Sequence, residues 1–148
     1  MDMTPIVSFR NEYRFLSNFY KCSINIGKIL YPTAEHAYVA HKTTDIAMRR
    51  ALAKINEPHE VKKLGRGIRL DKKWHNEKIF IMHDIVMAKF SQNPQLRDQL
   101  IDTGDRILVE GNTWKDQFWG ESPLGVGGNH LGKILMAVRA RLSVENNS

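Results

Sequence analysis

The stretch Tyr31-Pro32-Thr33-Ala34-Glu35-His36-Ala37-Tyr38-Val39-Ala40-His41-Lys42 constrains this chain more than any other. Pro32 ends the extended segment before it, and Thr33 is a good N-cap for the helical run that follows. Glu35 then falls in the first turn, where free N–H groups and the helix dipole favour an ionised carboxylate. Lys42 lies seven residues on, about two turns away, and returns to nearly the same face with Tyr38 between. One helix face therefore reads carboxylate, phenol, amine. Such a face is either a dipole partner, a core tyrosine and a solvated lysine, or the working side of a site.

The flanking segments give this helix its setting. Ile6 to Phe9 reads as a short strand. Phe15 to Tyr20 interleaves aromatics with Ser17 and Asn18, which suits a pocket-lining loop or a packed turn. Cys22 to Tyr31 alternates around Gly27-Lys28, a two-residue hairpin turn. Asp45 to Ile55 carries a partial helical stripe, and Pro58 opens a short helix that ends at Gly65 or Gly67. Asp71 caps the longest helix, to about Phe90, with Trp74, Ile81, Ile85 and Ala88 along one side. Asn93-Pro94 starts another helix that closes at Thr103-Gly104, and Ile107 to Val109 reads as a strand. Gly111 to Gly128 is irregular. A last helix runs from Gly128 or Asn129 through Leu142, and the tail from Glu145 frays. The fold class expected is mainly α with a small antiparallel β element, in one domain over residues 1–148.

Composition sets the outer bounds. The 148 residues, 42% hydrophobic and 26% charged, suit one globular domain with a real core. A lone Cys22 excludes an intrachain disulfide and suits a reducing compartment. There is no run of membrane-spanning length and no signal-peptide pattern, so the expected location is cytoplasmic. The formal charge of +6 favours phosphorylated small molecules and nucleic acid alike. No metal is implied: His59-Glu60 lacks the second histidine of the zinc-protease pattern, and His36 and His41 occupy different helix faces. No cofactor is implied either.

Four segments stand in a fixed order: Phe15-Leu16-Ser17-Asn18-Phe19-Tyr20, Tyr31 to His36, Trp114-Lys115-Asp116-Gln117-Phe118-Trp119-Gly120, and Gly128-Asn129-His130-Leu131-Gly132-Lys133 with Leu135-Met136. Together they resemble the NADAR family, named for NAD and ADP-ribose, and its YbiA-like N-glycosidase branch, from about Phe9 to Leu142. The resemblance implies hydrolysis of an N-glycosidic bond. The substrates it suggests are early intermediates of riboflavin biosynthesis, giving ribose 5-phosphate and a pyrimidine, or ADP-ribosyl groups on guanine in nucleic acid. Val39 departs from the family pattern, which often has glutamine there, and this puts in doubt any substrate contact that glutamine makes.

Glycoside cleavage builds oxocarbenium-like charge at the anomeric carbon. Glu35 fits the carboxylate that stabilises this charge or activates water. Asp116, flanked by Trp114 and Trp119, is either a second carboxylate or a turn aspartate. Trp74 is either a stacking platform or a core residue, and the family pattern turns it toward the pocket. Lys42 offers a covalent alternative, attack by a neutral amine followed by an imine, with Lys21 as the other lysine for that role. Phe15, Ser17, Asn18, Phe19, Tyr20, Tyr38 and Trp119 are expected to bind substrate. Gly128 and Asn129 belong to a glycine-rich stretch that resembles a phosphate-cradling loop, with Lys133, Arg139 and Arg66 as either anion partners or solvated surface charges. The rival from another class is a non-catalytic ADP-ribose or nucleic-acid binding module, for which basic charge and aromatics suffice. A retained Glu35 argues against it, since a carboxylate does nothing for an anionic ligand.

Overall fold

The computed structural model describes residues 1–112 and 116–146, and the chain forms two compact units, residues 18–93 and residues 1–17 with 94–148. The first begins with a hairpin. Strands β1 (Ile24–Ile26) and β2 (Ile29–Tyr31) pair antiparallel, with Ile26 opposite Ile29. Gly27 and Lys28 both take positive φ, 61° and 66°, which is the backbone of a type I′ turn. Ile24, Ile29 and Tyr31 point into the core, and Asn25 and Leu30 point out.

Helix α1 (Ala34–Ala40) follows at once, and every one of its seven residues is buried. Thr33 caps it as expected, its hydroxyl oxygen accepting the His36 N–H at 3.1 Å. Seven residues cannot hold a helix in water by themselves. Helix α1 persists because α2 (Ile46–Ala53), α3 (Pro58–Gly65) and α4 (Trp74–Gln92) all pack against it. It is the axle of this unit. His36 locks its base: one ring nitrogen meets the Thr33 hydroxyl and the other the Ile55 carbonyl, each at 2.7 Å. Burial holds the His36 pKa below its ordinary value, so the neutral ring suits both contacts.

Several expectations shift here. Helix α1 stops at Ala40, so Lys42 lies just past its end, where its N–H donates to the Val39 carbonyl at 3.1 Å. Asp71 is not the α4 cap; it shapes the preceding turn by accepting the Lys73 N–H at 2.9 Å. The buried side of α4 is Trp74, Met82, Ile85, Val86, Lys89 and Phe90, not the line through Ile81 and Ala88. A stripe drawn only from apolar residues could not include a buried lysine.

The second unit contains a 3₁₀ helix (Asn11–Leu16) and helices α5 (Pro94–Asp102) and α6 (His130–Asn146), with α5 packed on α6. Phe15 is therefore a buried helical residue, not part of a loop. The two expected strands reduce to an isolated parallel bridge, Ile6 with Leu108. Its bonds run from the Ile6 N–H to the Ile107 carbonyl and from the Val109 N–H to the Ile6 carbonyl, both 2.8 Å. Helix α6 continues to Asn146, beyond the expected end at Leu142. Among the described residues no helix is long and apolar enough to cross a membrane.

Candidate active site

Seven of the expected site residues lie within residues 18–93. The Glu35 N–H donates to the Asn18 carbonyl at 3.0 Å, fastening the aromatic turn to the first turn of α1. Asn18 is itself buried and donates through Nδ2 to the Met82 sulfur at 3.5 Å. Glu35 is 8% exposed, so its carboxylate is not the solvated dipole partner that a surface helix would carry. One turn on, Tyr38 meets Trp74 at the start of α4, ring centroids 5.2 Å apart and tilted by 50°. The Lys42 ammonium lies over the Tyr38 ring, 5.6 Å from its centroid. Phe19, beside Asn18, keeps an exposed ring that the Lys62 ammonium overlies at 5.6 Å.

Burial pushes the Lys42 pKa below the usual lysine range. The Glu35 carboxylate opposes that shift, and Lys62, Lys78 and Arg66 reinforce it. Desolvation and like charge are the two ways a protein makes a lysine nucleophilic. The space for this amine comes from α3. A Cβ on Gly65 would press on both Val39 methyls at 3.0 Å and reach 3.6 Å from the Lys42 Nζ. Lys21 is exposed and 3.6 Å from Glu57 in an ion pair. Tyr20 lies 5.9 Å from a second buried ammonium, that of Lys89.

The other expected residues belong to the unit formed by 1–17 and 94–148. Ser17 ends the 3₁₀ helix, its N–H bonded to the Arg14 carbonyl at 3.0 Å. Asp116 acts as a turn residue there: its Oδ1 accepts the N–H groups of Phe118 and Trp119 at 3.2 and 3.0 Å. Trp119 packs edge-on against Phe118, centroids 4.8 Å apart. Trp114, cited with Asp116, lies outside the described residues.

In the glycine-rich stretch four donors are engaged within the fold: the N–H groups of Gly128, Asn129, His130 and Leu131 bond to the carbonyls of Gln117, Gly120, Phe118 and Trp119. Asn129 is buried and bolts the bridge region together, accepting the Glu110 N–H and donating to the Leu108 carbonyl, both at 3.0 Å. Arg139 donates to the Thr103 hydroxyl at 2.9 Å. Among the described residues no group of histidines, cysteines and carboxylates could hold a metal ion.

A family model, the NADAR domain, matches residues 7–143. The chain belongs to the NADAR family. It is 34% identical over 140 residues to the N-glycosidase YbiA of Escherichia coli, covering 93% of this chain and 87% of that one. The NMR structure of the E. coli protein YbiA superposes with a TM-score of 0.88 at 32% identity, covering 100% of this chain and 90% of that one. The riboflavin biosynthesis protein VVA0006 of Vibrio vulnificus is 38% identical over 133 residues, 88% of this chain, but this chain spans only 36% of that protein. The mainly helical fold with a small antiparallel sheet matches the fold of the E. coli YbiA structure.

Sequence reading missed Lys62, Gly65 and Lys78 as neighbours of Lys42. The four-residue spacings of Lys62 with Arg66 and of Trp74 with Lys78 were the available signals, since each pair shares a helix face.

Proposed function

We propose that this protein is an N-glycosidase acting on phosphorylated ribosyl substrates. The observation that carries the reading is a buried carboxylate, Glu35 on α1, and a half-buried amine, Lys42 just past its end, beside the Tyr38–Trp74 rings. A module that only bound an anionic ligand would gain nothing from an enclosed carboxylate. The names of the NADAR relatives, N-glycosidase and riboflavin biosynthesis protein, support the same class.

In this reading the bond from C1′ to the base nitrogen lengthens, and Glu35 stabilises the charge that grows on the sugar. Water attacks C1′, Glu35 takes its proton, and the base leaves with its electron pair and is protonated. Phe19 supplies an aromatic face for the base. The substrates favoured are early ribosylated pyrimidine intermediates of riboflavin biosynthesis, with ribose 5-phosphate as a product. The lowered Lys42 pKa supports a second substrate class, ADP-ribosyl groups on guanine, cleaved through an imine on that lysine.

Chromatography of candidate N-glycosides after incubation with the purified protein tests the reading. Release of free base and ribose 5-phosphate from the pyrimidine intermediates, or of guanine-bearing nucleic acid and ADP-ribose, assigns the class. Intact substrates in both reactions would overturn it.

A further inference from the structure

We infer that Lys62 and Arg66, at the C-terminal end of α3 beside Lys42, seat a phosphoryl group of the ligand. The inference rests on the N-glycosidase reading for its substrate and on geometry for its place. Lys62 and Arg66 are four residues apart at the end of α3, so they share one face. Two contacts fix where that face lies. The Lys62 ammonium stands over Phe19, the residue after the carbonyl that holds the Glu35 N–H. Arg66 follows Gly65, whose missing side chain leaves the opening for the Lys42 amine.

Lys62 and Arg66 thus lie near enough to the Lys42 amine for their charges to lower its pKa. Among the described residues neither Lys62 nor Arg66 enters an ion pair. Like charges at this spacing repel and destabilise the apo fold. The negative C-terminal end of α3 accounts for basic residues in its last turn. It does not account for the placement of Lys62, half-buried over Phe19, because the neighbouring Lys63 satisfies the same dipole while exposed to solvent, as Arg66 also is. A phosphoryl group would neutralise the cluster and accept charge-assisted bonds from it. Two ligands share that chemistry, the 5-phosphate of a ribosyl compound and the diphosphate of ADP-ribose.

The test is titration of ribose, ribose 5-phosphate and ADP-ribose into the wild-type protein and the Lys62→Ala, Arg66→Ala and Lys63→Ala variants. Wild type and Lys63→Ala should prefer ribose 5-phosphate or ADP-ribose over ribose by at least about tenfold. Lys62→Ala and Arg66→Ala should lose that preference while melting no lower than wild type without ligand. A larger loss for ribose 5-phosphate assigns the monoester, and a larger loss for ADP-ribose assigns the diphosphate. An unchanged preference in both variants, or no preference in wild type, overturns the inference. Loss of preference in a protein that cleaves no N-glycoside would sink the glycosidase reading and leave the phosphate seat standing. Cleavage with an unchanged preference would do the reverse.

Discussion

The Glu35 N–H and the Asn18 carbonyl, 3.0 Å apart, join the two segments from which the proposed site is built. A first-turn N–H of a helix has no partner within its own helix. Here it is supplied by the aromatic turn, so the position of Phe19 and that of the Glu35 carboxylate are set together. The backbone carries this link, so it does not depend on the side chain at position 35 except where proline would remove the N–H.

Glu35→Gln should therefore fold like wild type, with the Thr33 cap and the Asn18 contact intact. Turnover should fall at least ~100-fold, as loss of a transition-state charge stabiliser requires. Ligand affinity should hold within a few-fold. Steady-state rates and a melting curve on the same preparation check this. A variant that turns over at the wild-type rate would remove Glu35 from the mechanism.

Asp116 can be separated from a catalytic carboxylate by two substitutions. Its Oδ1 accepts two backbone N–H groups, and asparagine retains an oxygen there. If the turn is its work, Asp116→Asn should keep turnover within a few-fold, while Asp116→Ala loses ~1–3 kcal/mol of stability. A large rate loss in Asp116→Asn with unchanged melting would restore it as a second carboxylate.

Trp74 is 6% exposed and packed on Tyr38. Trp74→Ala should cost ~3–5 kcal/mol of stability, as removal of a core aromatic does. Trp119 is less buried and packs on Phe118, so Trp119→Ala should cost less stability, and a loss of ~1–3 kcal/mol in ligand binding would mark it as a stacking contact. Thermal unfolding and ligand titration on both variants distinguish the two outcomes.

Local chemistry made some of this legible in the sequence. Thr33, Asp45 and Pro58 mark the starts of α1, α2 and α3 because capping acts within a few residues. Gly27-Lys28 was readable as a turn for the same reason. What was hidden depends on tertiary contact. The Lys42 neighbours come from α3, its C-cap and α4, and four donors of the glycine-rich stretch are consumed by carbonyls nine to twelve residues earlier. Lys89 was hidden most deeply, since charge and solvent exposure normally go together.

Burial lowers the Lys89 pKa from 10.5 to about 8. The unfolded chain then binds more protons than the folded one between those values, so stability rises with pH across that window. Below about pH 8 the full burden of the buried ammonium is present, on the order of 3 kcal/mol. Lys89→Met should thus raise the melting temperature at pH 7, and its advantage should shrink as pH rises toward 10.5. Denaturant midpoints for both proteins at pH 7 and 10 check the sign. A constant difference between them would mean that ionisation of Lys89 is not its source.

The same reasoning gives Lys42 a signature in rate. Its pKa is lowered, first by burial and then by Lys62, Lys78 and Arg66. A nucleophilic amine must be neutral, so turnover should climb as pH rises through that lowered pKa and then level off. An ammonium that only holds an anion would give the opposite slope. If the amine attacks C1′, the base departs and the opened sugar remains as an imine, which borohydride reduces to a secondary amine. Borohydride added during turnover should then leave a sugar-sized mass, and peptide mapping should place it on Lys42. Lys42→Met should abolish the adduct. An adduct on Lys21 would move the nucleophile to the aromatic turn, and an active Lys42→Met without any adduct would leave Glu35 working by direct water attack. Gly65→Ala adds a geometric control, because its Cβ would crowd Val39 and approach the amine. It should slow trapping while leaving the direction of the pH dependence unchanged.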